Sequence, residues 1–589
     1  MTAYTASPLT VAFLATALAA CTGSAAAEEC HSPATPIAEV QGSGARSPLA
    51  GTDVSVEGII TLDSRHAGGF RGFYLQQADD ETDQLSATSE ALFIHTGLNA
   101  GKPGHRVRVR GRVKEFHDLT ELTDVRFVRD CGPSALPQPV SIRLPWPAGD
   151  SPPERLENMR VRVSNRLTVI DSYQLAQYGE LTLAAAPQTI PTETLPPGPA
   201  AAALSQQQDR HRLVLDDNRG VRHPDPTPWP TPALALDNTV RTGDTLSGLE
   251  GVLDYRFGAW RLQPTAGPAF HRDNPREPPP PRHADATLRV LFLNLENYFN
   301  GNGRGQGFPT DRGARTLEQF QRQSQRLIAA LTLPDPDVIA VAELENDGHG
   351  EHSALLRLAQ ALGPQWRAIR AGASSGTDAI RTALLYRADR IETTGQASRL
   401  ASGPYQKQGR RPLAQTLRPL GSERGVQIIV PHLKSKACHG ARGRDRDQQD
   451  GQGCFSDRRE QAARALVAWA STHPAPASTA GTLITGDLNS YARETPLTIF
   501  RSAGFSSLVH HFHPCTDAGC PQTTYRYKGR NGTLDYALAS DSLMPLVLGA
   551  WSWAINAEEP PALGYRQNAS PASPWRSSDH NPVIVDLAL

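Results

Sequence analysis

At 589 residues the chain is too long for a single hydrophobic core, and its length predicts about two to four domains. Its formal net charge of −1 favours no class of partner, so binding to nucleic acid would require local clusters of cationic residues. The 49 glycines and 48 prolines favour strands and turns over long helices.

The first 27 residues resemble an export signal. Their apolar core, VAFLATALAA, is too short to span a membrane, and the small residues after it allow cleavage after Ala27. No Lys or Arg precedes this core, which is atypical of such signals. The sequence LAAC also fits a lipoprotein cleavage site that would leave Cys21 lipidated. No later segment is long and apolar enough to span a membrane, so we expect a secreted or periplasmic protein, with an outer-membrane lipoprotein as the alternative.

Cysteine usage agrees with export. Of the seven cysteines, Cys21 belongs to the signal, and an even number remains, which predicts disulfides in an oxidising compartment. A zinc site is the alternative, but the chain contains no Cys-x-x-Cys pair. Proximity favours two bridges and leaves a third: Cys438–Cys454, Cys515–Cys520 and Cys30–Cys131.

Alternating apolar and polar residues bounded by glycine predict strands throughout the first half of the chain. The segments VSVEGIITLD and HRVRVRGRVKEF have this pattern, and we expect residues 28–135 to form an OB-like β domain and residues 136–273 a second β-rich region. The stretch 243–265 has a similar pattern, which allows two related small barrels. Residues 184–234 are rich in Pro, Ala and Gln and are expected to be irregular.

One predicted strand carries a stripe of positive charge. Its valines fall on one face and five cations on the other, namely Arg106, Arg108, Arg110, Arg112 and Lys114. A solvated face is one interpretation, because polar-out alternation is normal for a half-buried sheet. Like charges in a row repel one another unless counterions or phosphates share them. The alternative is therefore a groove that follows the phosphates of a nucleic-acid strand.

A proline-rich segment separates this half from one in which strands and helices alternate. Four consecutive prolines in NPREPPPPRHADA (274–286) predict a stiff, extended linker. Beyond it, apolar strands such as LRVLFLN and AGTLITGDLNS alternate with amphipathic helices such as TLEQFQRQSQRLIAALT. Residues 287–589 are therefore predicted to form an α/β domain.

The apolar strands of this domain meet a polar residue at or just beyond one end. Caps and turns explain such residues one at a time. Layered α/β folds, however, gather strand ends along one edge of the core, where substrates bind. Four acids, two amides and two histidines occupy these positions: Asn294, Glu343, His432, Asp487, Asn489, Asp535, Asp579 and His580.

The ordered motifs FLN, AELEN, HLKS, GDLN, LDYALAS and SDHNP resemble those of the endonuclease/exonuclease/phosphatase superfamily, in its deoxyribonuclease I-like branch. The resemblance covers residues 287–589, and the N-terminal half resembles the OB-like region of secreted bacterial nucleases. It implies a four-layer α/β sandwich, in which two mixed β-sheets pack face to face with helices outside. It also implies hydrolysis of phosphodiester bonds.

The resemblance implies a metal site. Glu343, with Glu345 as second choice, would be the principal ligand of Mg²⁺, with Ca²⁺ or Mn²⁺ as alternatives. Asn294 and Asp579 would complete the oxygen shell of the cation. Hard cations prefer such oxygen ligands.

The resemblance also implies groups that move protons and hold phosphate. Asp535 would orient His580, which would act as general base or bind the phosphate. His432 would protonate the leaving 3′ oxygen or bind the scissile phosphate. Asp487 and Asn489 would hold the attacking water and a phosphate oxygen.

One position departs from the pattern of pancreatic deoxyribonuclease. That enzyme pairs its second histidine with a glutamate, whereas the corresponding segment here reads GTDAIR. Asp378 is the nearby carboxylate, two residues out of register. It substitutes for the glutamate, or His432 stands unpaired.

A basic segment follows the HLKS motif. Residues 434–446 contain five cations and a single acid, Asp445. The proposed Cys438–Cys454 bridge closes the loop that contains them. Clustered cations fit either a solvated loop or a grip on nucleic-acid phosphates. The cations are Lys434, Lys436, Arg442, Arg444 and Arg446.

We therefore expect a secreted, metal-dependent DNA endonuclease of low sequence specificity, with RNA as a further substrate and no obligate protein partner. One alternative is another phosphoesterase of the same fold, such as a sphingomyelinase-like phospholipase or a small phosphate-ester phosphatase. An alternative from a different class is a non-catalytic, extracellular DNA-binding protein.

Overall fold

The computed structural model of the protein describes residues 29–147, 153–406, 409–516, 519–567 and 572–589. The predicted export signal, with Ala27 and Cys21, lies outside these residues. Within them, no helix is long and apolar enough to cross a membrane. The three predicted disulfides are present: Cys30–Cys131, Cys438–Cys454 and Cys515–Cys520.

The N-terminal strands close into a five-stranded barrel. Its elements are α1 (Ile37–Gln41), β1 (Asp53–Asp63), β2 (Gly72–Gln76), β3 (Ala91–His95), β4 (His105–Phe116) and β5 (Leu119–Pro133). The strand order is β1-β2-β3-β5-β4, with β3 and β5 parallel. Alternate apolar side chains such as Val56, Leu75 and Val107 fill the interior. The predicted β-rich N-terminal region is confirmed.

The cationic stripe on β4 is largely neutralised by acids of the barrel itself. Arg108 is fully buried and donates to Glu57, its register partner on β1, at 3.1 Å. Arg106 forms ion pairs with Glu57 and Glu81 at 3.4 and 2.9 Å, and Arg110 is partly exposed. The prediction that Arg108 binds phosphate is wrong, because a buried, paired guanidinium cannot reach a nucleic-acid strand. The neutralising acids lie on other segments, so only closure of the barrel reveals them.

The second region is an open, nine-stranded sheet in the order β15-β12-β8-β9-β11-β14-β13-β7-β6. The stretch 243–265 supplies three of these strands and does not form a second barrel. The strands of this region, including the short β10 outside the sheet, are β6 (Val140–Ile142), β7 (Arg160–Val163), β8 (Leu167–Asp171), β9 (Leu181–Ala184), β10 (Gln188–Thr189), β11 (Arg212–Leu215), β12 (Thr245–Ser247), β13 (Glu250–Arg256), β14 (Ala259–Pro264) and β15 (Ala269–His271).

Helices interrupt the part of this region that was expected to be irregular. They are α3 (Pro191–Thr194) and α4 (Pro199–Arg210), and the short helix α2 (Leu175–Tyr178) precedes this part. Pro191 and Pro199 stand in the first turns of α3 and α4, where proline is tolerated because its missing N–H has no helical partner. The prolines therefore begin helices here.

The proline-rich linker lies along the C-terminal domain. Arg276 forms an ion pair with the buried Glu559 at 2.7 Å, and Arg282 forms one with the buried Asp337 at 2.5 Å. These contacts fix the linker to the C-terminal domain at two points.

The C-terminal domain is built from two six-stranded mixed sheets, ordered β18-β19-β17-β16-β29-β28 and β20-β21-β22-β23-β27-β24. Its elements are β16 (Leu288–Tyr298), α5 (Leu317–Thr332), β17 (Val338–Glu345), α6 (Ala354–Leu362), β18 (Trp366–Ala368), β19 (Ile380–Arg387), β20 (Ile391–Arg399), β21 (Leu413–Pro419), β22 (Gly425–Val430), α7 (Ser456–Ala470), β23 (Thr479–Asp487), α8 (Thr495–Ser502), β24 (Phe505–Ser507), α9 (Leu508–Phe512), β25 (Tyr525–Tyr527), β26 (Arg530–Gly532), β27 (Asp535–Ser540), β28 (Val547–Ser552) and β29 (Val583–Leu587).

The two sheets pack face to face. Apolar side chains of both share one buried core, with Val290 and Val585 from the first sheet and Ile428 and Leu483 from the second. Helices α5 and α6 cover the outer face of the first sheet, and α7 and α8 cover that of the second. The predicted four-layer α/β sandwich is confirmed.

Candidate active site

Strands of both sheets bring their polar residues to one edge of the core. The parallel pair β16–β17 supplies Asn294 and Glu343, and the antiparallel pair β23–β27 places Asp487 directly opposite Asp535. A cleft of about 1220 Å³ opens above them. Six of the eight predicted residues line this cleft: Glu343, His432, Asp487, Asn489, Asp579 and His580.

His580 and Asp535 form a buried pair. The Nδ1 atom of His580 lies 2.7 Å from Oδ2 of Asp535, and the two side chains are 8% and 0% exposed. Burial lowers the pKa of His580, but the Asp535 and Asp579 carboxylates outweigh burial and hold it well above the ordinary value. The ring of Tyr525 lies against the imidazole, with 4.6 Å between ring centroids. This hydrogen bond holds the imidazole of His580 against Asp535.

Asp487 is held by two amides. Its Oδ1 accepts from the backbone N–H of Asn489 at 2.9 Å, and its Oδ2 accepts from Nδ2 of Asn294 at 3.1 Å. Burial, with Asp535 close by, raises the pKa of Asp487 to about 7. Strand β23 ends at Asp487, and Asn489 has a left-handed backbone with φ 45°. A turn, rather than strand alternation, thus brings both side chains to the cleft.

Glu296, Glu343 and Asp579 form a further cluster of carboxylates at the cleft. Burial and the neighbouring Asp579 raise the pKa of Glu343, and the same two causes raise the pKa of Glu296 to about 7. Repulsion among these groups would be relieved by a divalent cation, and their hard oxygens suit Mg²⁺, Ca²⁺ or Mn²⁺. The residues present therefore fit the predicted metal site. Glu345, the second choice, instead accepts from the backbone N–H of Asn300 at 2.8 Å.

A second group could also hold a cation. One ligand atom each of Asp487, Asp535 and His580 all lie within 4.8 Å of one another. The Nδ1 atom of His580 is already bonded to Asp535, however, and an ion here would have to compete with that buried hydrogen bond. We therefore favour the Glu343 side of the cleft.

His432 lies between an arginine and a carboxylate, with its Nε2 atom 3.4 Å from Oδ2 of Asp487. The Nη1 group of Arg410 donates to Nε2 of His432 at 2.9 Å, and Nε of Arg410 donates to Asp378 at 3.0 Å. Burial, with Arg410 beside it, holds the pKa of His432 well below its ordinary value. Because Arg410 donates to it, Nε2 of His432 is a hydrogen-bond acceptor in this arrangement. The roles predicted for His432, at the leaving oxygen or at the scissile phosphate, stay predictions. Asp378 reaches His432 only through Arg410.

Arg410 is the main site residue that sequence reasoning missed. It lines the cleft beside His432, and its Nη1 group also lies 3.4 Å from the carbonyl oxygen of Leu433. It stands in a loop before β21, where the chain reads GRRP and no motif distinguishes it. Arg410 is recognised as a site residue only because the fold brings its loop against His432 and Leu433 of the HLKS motif.

The basic loop contributes less to the cleft than predicted. Lys436 lines the cleft, but its Nζ atom is 2.6 Å from the fully buried carboxylate of Glu494. Lys434 lies over the ring of Phe455 at 4.7 Å. Arg442 and Arg444 are exposed, and neither is among the described residues that line the cleft.

The N-terminal half supplies one wall of the cleft. Thr192 of α3 donates to Glu494 at 2.9 Å, and its carbonyl oxygen accepts from the backbone N–H of Arg493. Sequence reasoning missed this wall because its segment was expected to be irregular. The wall residues are Ile190, Pro191, Thr192, Ala201, Ala202, Ser205, Gln206 and Asp209.

A four-layer sandwich gathers acids, histidines and amides at one sheet edge, an arrangement that suits hydrolysis of phosphoester bonds. Residues 291–580 match the Endonuclease/Exonuclease/phosphatase family, and the chain carries a domain of that family. Residues 152–272 match a domain of unknown function (DUF8508). No curated protein sequence matches the chain.

Several solved structures resemble about half of the chain. The human Nocturnin catalytic domain with bound sulfate is 18% identical and covers 51% of this chain and 93% of its own, with a TM-score of 0.32. A mannosyl-6-phosphatase of Bacteroides thetaiotaomicron is 14% identical, and the match covers 51% of this chain and 100% of the phosphatase, with a TM-score of 0.34. An AP endonuclease of Archaeoglobus fulgidus is 12% identical, and the match covers 51% of this chain and 100% of the endonuclease, with a TM-score of 0.32.

Proposed function

We propose that the protein is an exported, metal-dependent phosphodiesterase that hydrolyses the nucleic-acid backbone, most specifically a DNA endonuclease of low sequence specificity. One observation carries this proposal: the buried Asp535–His580 pair and the acidic cluster around Glu343 face the same cleft. Phosphodiester hydrolysis needs both a proton-transfer group and compensation of negative charge on phosphate oxygens. The three disulfides support the proposed export.

The chain's own residues divide these tasks. Asp535 holds His580 in position to take a proton from the attacking water or to contact the phosphate. Asp487 and Asn489 orient the water and a phosphate oxygen. Glu343, Asp579 and Asn294 would hold the cation. When bound, a divalent cation would compensate charge on the phosphate oxygens.

In this proposal Arg410 takes over contact with the scissile phosphate, one of the roles that the sequence predicted for His432. Its guanidinium lies in the cleft and is fixed from one side by Asp378 and from another by His432. A planar, permanently charged fork suits recognition of phosphate. Arg410 then contacts the scissile phosphate, and His432 positions Arg410.

The test is cleavage of plasmid DNA by the purified protein with Mg²⁺, Mn²⁺ or Ca²⁺, and with EDTA. We expect nicking with at least one cation and none with EDTA. Tight DNA binding without cleavage under every condition would favour the non-catalytic alternative. Turnover of small phosphate esters or sphingomyelin without DNA cleavage would favour the other phosphoesterases.

A matched pair of variants tests the assignment of His580. His580→Ala should lower cleavage by about 10²- to 10⁴-fold, the usual contribution of a positioned acid–base group. His511→Ala changes an exposed histidine outside the residues that line the cleft and should cleave like the wild type. Circular dichroism of both variants checks folding, and retained activity in folded His580→Ala would refute the role.

A further inference from the structure

A small sheet joins the N-terminal half to the catalytic domain beside the cleft. Strands β25 and β26 form a hairpin, and β10 of the N-terminal half pairs with β26 in parallel, with Gln188 opposite Arg530. This contact continues a hydrogen-bonded sheet from one half of the protein into the other. The hairpin is therefore built into the wall.

Arg530 locks this hairpin to helix α4. Its Nε atom donates to Oε1 of Gln208 at 2.5 Å, and its Nη2 group donates to the carbonyl oxygen of Ser205 at 2.9 Å. The same guanidinium forms an ion pair with Asp209 at 2.8 Å. Since its donors are engaged by α4, Arg530 acts as a fastener rather than as a phosphate ligand. The hairpin is held rigidly at the rim of the cleft.

Two tyrosines of β25 present their rings along this rim. Tyr525 and Tyr527 are two positions apart on one strand and so share a face, and both line the cleft. Tyr525 lies against His580, whereas Tyr527 is 52% exposed. Tyr527 lines the cleft with half of its side chain exposed, so burial does not explain a large aromatic ring at this position. Lys528 follows it, exposed, with Nζ 5.5 Å from the Tyr527 ring.

We propose that this rim binds unpaired bases, so that the enzyme acts on single-stranded nucleic acid or single-stranded segments of a duplex. We call it the tyrosine shelf and define it as Tyr525, Tyr527, Lys528 and Gln206 of α4. The inference rests on the proposed nuclease function and names its substrate class. Bases stack on exposed aromatic rings without sequence preference, and only unpaired bases offer a free face.

The remaining chemistry of the shelf fits a single strand. Lys528 stands where a phosphate between stacked bases would pass, and Gln206 presents an amide that can donate or accept from opposite the hairpin. The cleft volume of about 1220 Å³ exceeds the range of roughly 300–1,000 Å³ typical of sites for small ligands. A cleft of that size, walled by α4, accommodates a short strand.

The first test compares Tyr527→Ala with a control. Cleavage of a short single-stranded oligonucleotide by Tyr527→Ala should show a KM raised by about 5- to 150-fold, which corresponds to the loss of one stacked base. Tyr173→Ala removes a tyrosine that is 68% exposed and lies outside the cleft lining, and should leave KM unchanged. An unchanged KM in Tyr527→Ala would overturn the shelf.

The second test places a charge on the wall. Gln206 and Gln207 are both exposed and adjacent on α4, but only Gln206 lines the cleft among the described residues. Gln206→Glu should lower kcat/KM on the single strand by about fivefold at low salt and less at high salt, because a carboxylate there repels phosphates. Gln207→Glu should have no effect. Equal effects of the two variants would contradict the proposed path of the strand.

The third test separates this inference from the function on which it rests. The wild-type protein is given one sequence as single strand and as duplex, and the single strand should be cleaved with a kcat/KM about tenfold higher or more. A duplex cleaved as fast as the single strand would overturn the inference and leave the nuclease function intact. Cleavage of neither strand form, with turnover of other phosphate esters, would overturn both.

Discussion

At the scale of single residues, neighbours decide what each side chain in the cleft can do. Asp487 and His580 are both buried, yet the pKa of Asp487 is raised to about 7, while that of His580 lies well above its ordinary value. Burial lowers the pKa of His432, and the neighbouring cation Arg410 lowers it further. The pKa values of two buried histidines of the same domain therefore move in opposite directions, because carboxylates outweigh burial at His580 and Arg410 adds to it at His432.

Arg410 is the residue on which the proposed chemistry most differs from the prediction. Arg410→Ala should lower kcat on DNA by about 10²- to 10³-fold, comparable to loss of one donor to a developing oxyanion. Arg410→Lys keeps the charge but loses the fork held by Asp378 and His432, and should retain intermediate activity. Single-turnover cleavage of DNA measures both variants. Wild-type activity in Arg410→Ala would show that the guanidinium does not act on the scissile phosphate.

At the scale of elements, strand ends and cross-links fix where loops stand. Strands β16, β17, β23 and β27 carry four acids and amides to one edge. The loop after β22 is closed by Cys438–Cys454 and tied down where Lys436 meets the buried Glu494. The strands thus hold the polar residues of the cleft in place, and the disulfide and the Lys436–Glu494 contact hold the loop after β22 beside them.

The three disulfides should differ in their effect on stability according to the chain they enclose. Their sequence separations are 101, 16 and 5 residues for Cys30–Cys131, Cys438–Cys454 and Cys515–Cys520. Replacing both cysteines by serine should therefore cost the most free energy of unfolding for the first bridge, about 3 kcal/mol for the second, and the least for the third. Denaturant unfolding of the three double variants measures the order. A reversed order would show that strain, rather than loop closure, dominates.

At the scale of the whole molecule, buried polar contacts bind the regions together. Arg276 and Arg241 both reach Glu559 of the catalytic domain, at 2.7 and 3.1 Å. Glu157, just before β7, is fully buried and accepts from the backbone N–H of Thr120 on the barrel at 3.2 Å. Burial, with Glu154 nearby, raises the pKa of Glu157 well above its ordinary value, and burial raises that of Glu154 to about 7.

These carboxyl groups predict a loss of stability at high pH. A folded-state pKa above the unfolded value means that the folded protein keeps a proton that the unfolded chain releases, so stability falls as pH rises from about 4.5 through 7 and above. Glu157→Gln should therefore lose less stability than the wild type between pH 5 and pH 8. Calorimetric unfolding at both values measures this.

An exposed glutamate provides the control for that experiment. Glu39→Gln changes an exposed side chain of α1 and should keep the pH dependence of the wild type. If Glu157→Gln also kept the wild-type pH dependence, the buried carboxyl group would not be the cause of the loss.

Much of the catalytic half could be predicted from the chain alone. Periodicity identifies its strands and helices, and the order of polar residues at strand ends identifies Asp487, Asp535 and His580 as members of one site. These features are local, because each depends on a few consecutive residues. The disulfides followed from proximity in sequence and from cysteine number in the same way.

Only the tertiary structure decided the pairings between distant segments. Arg108 looked free until closure of the barrel placed Glu57 opposite it. Thr192 and Glu494, 302 positions apart, join the N-terminal wall to the cleft, and Arg410 comes between Asp378 and His432 from a loop without a motif. The sequence by itself determined which chemical groups the site contains, since each strand carries its own terminal residue. Which partner each group meets depends on contacts across the fold, and no local pattern encodes them.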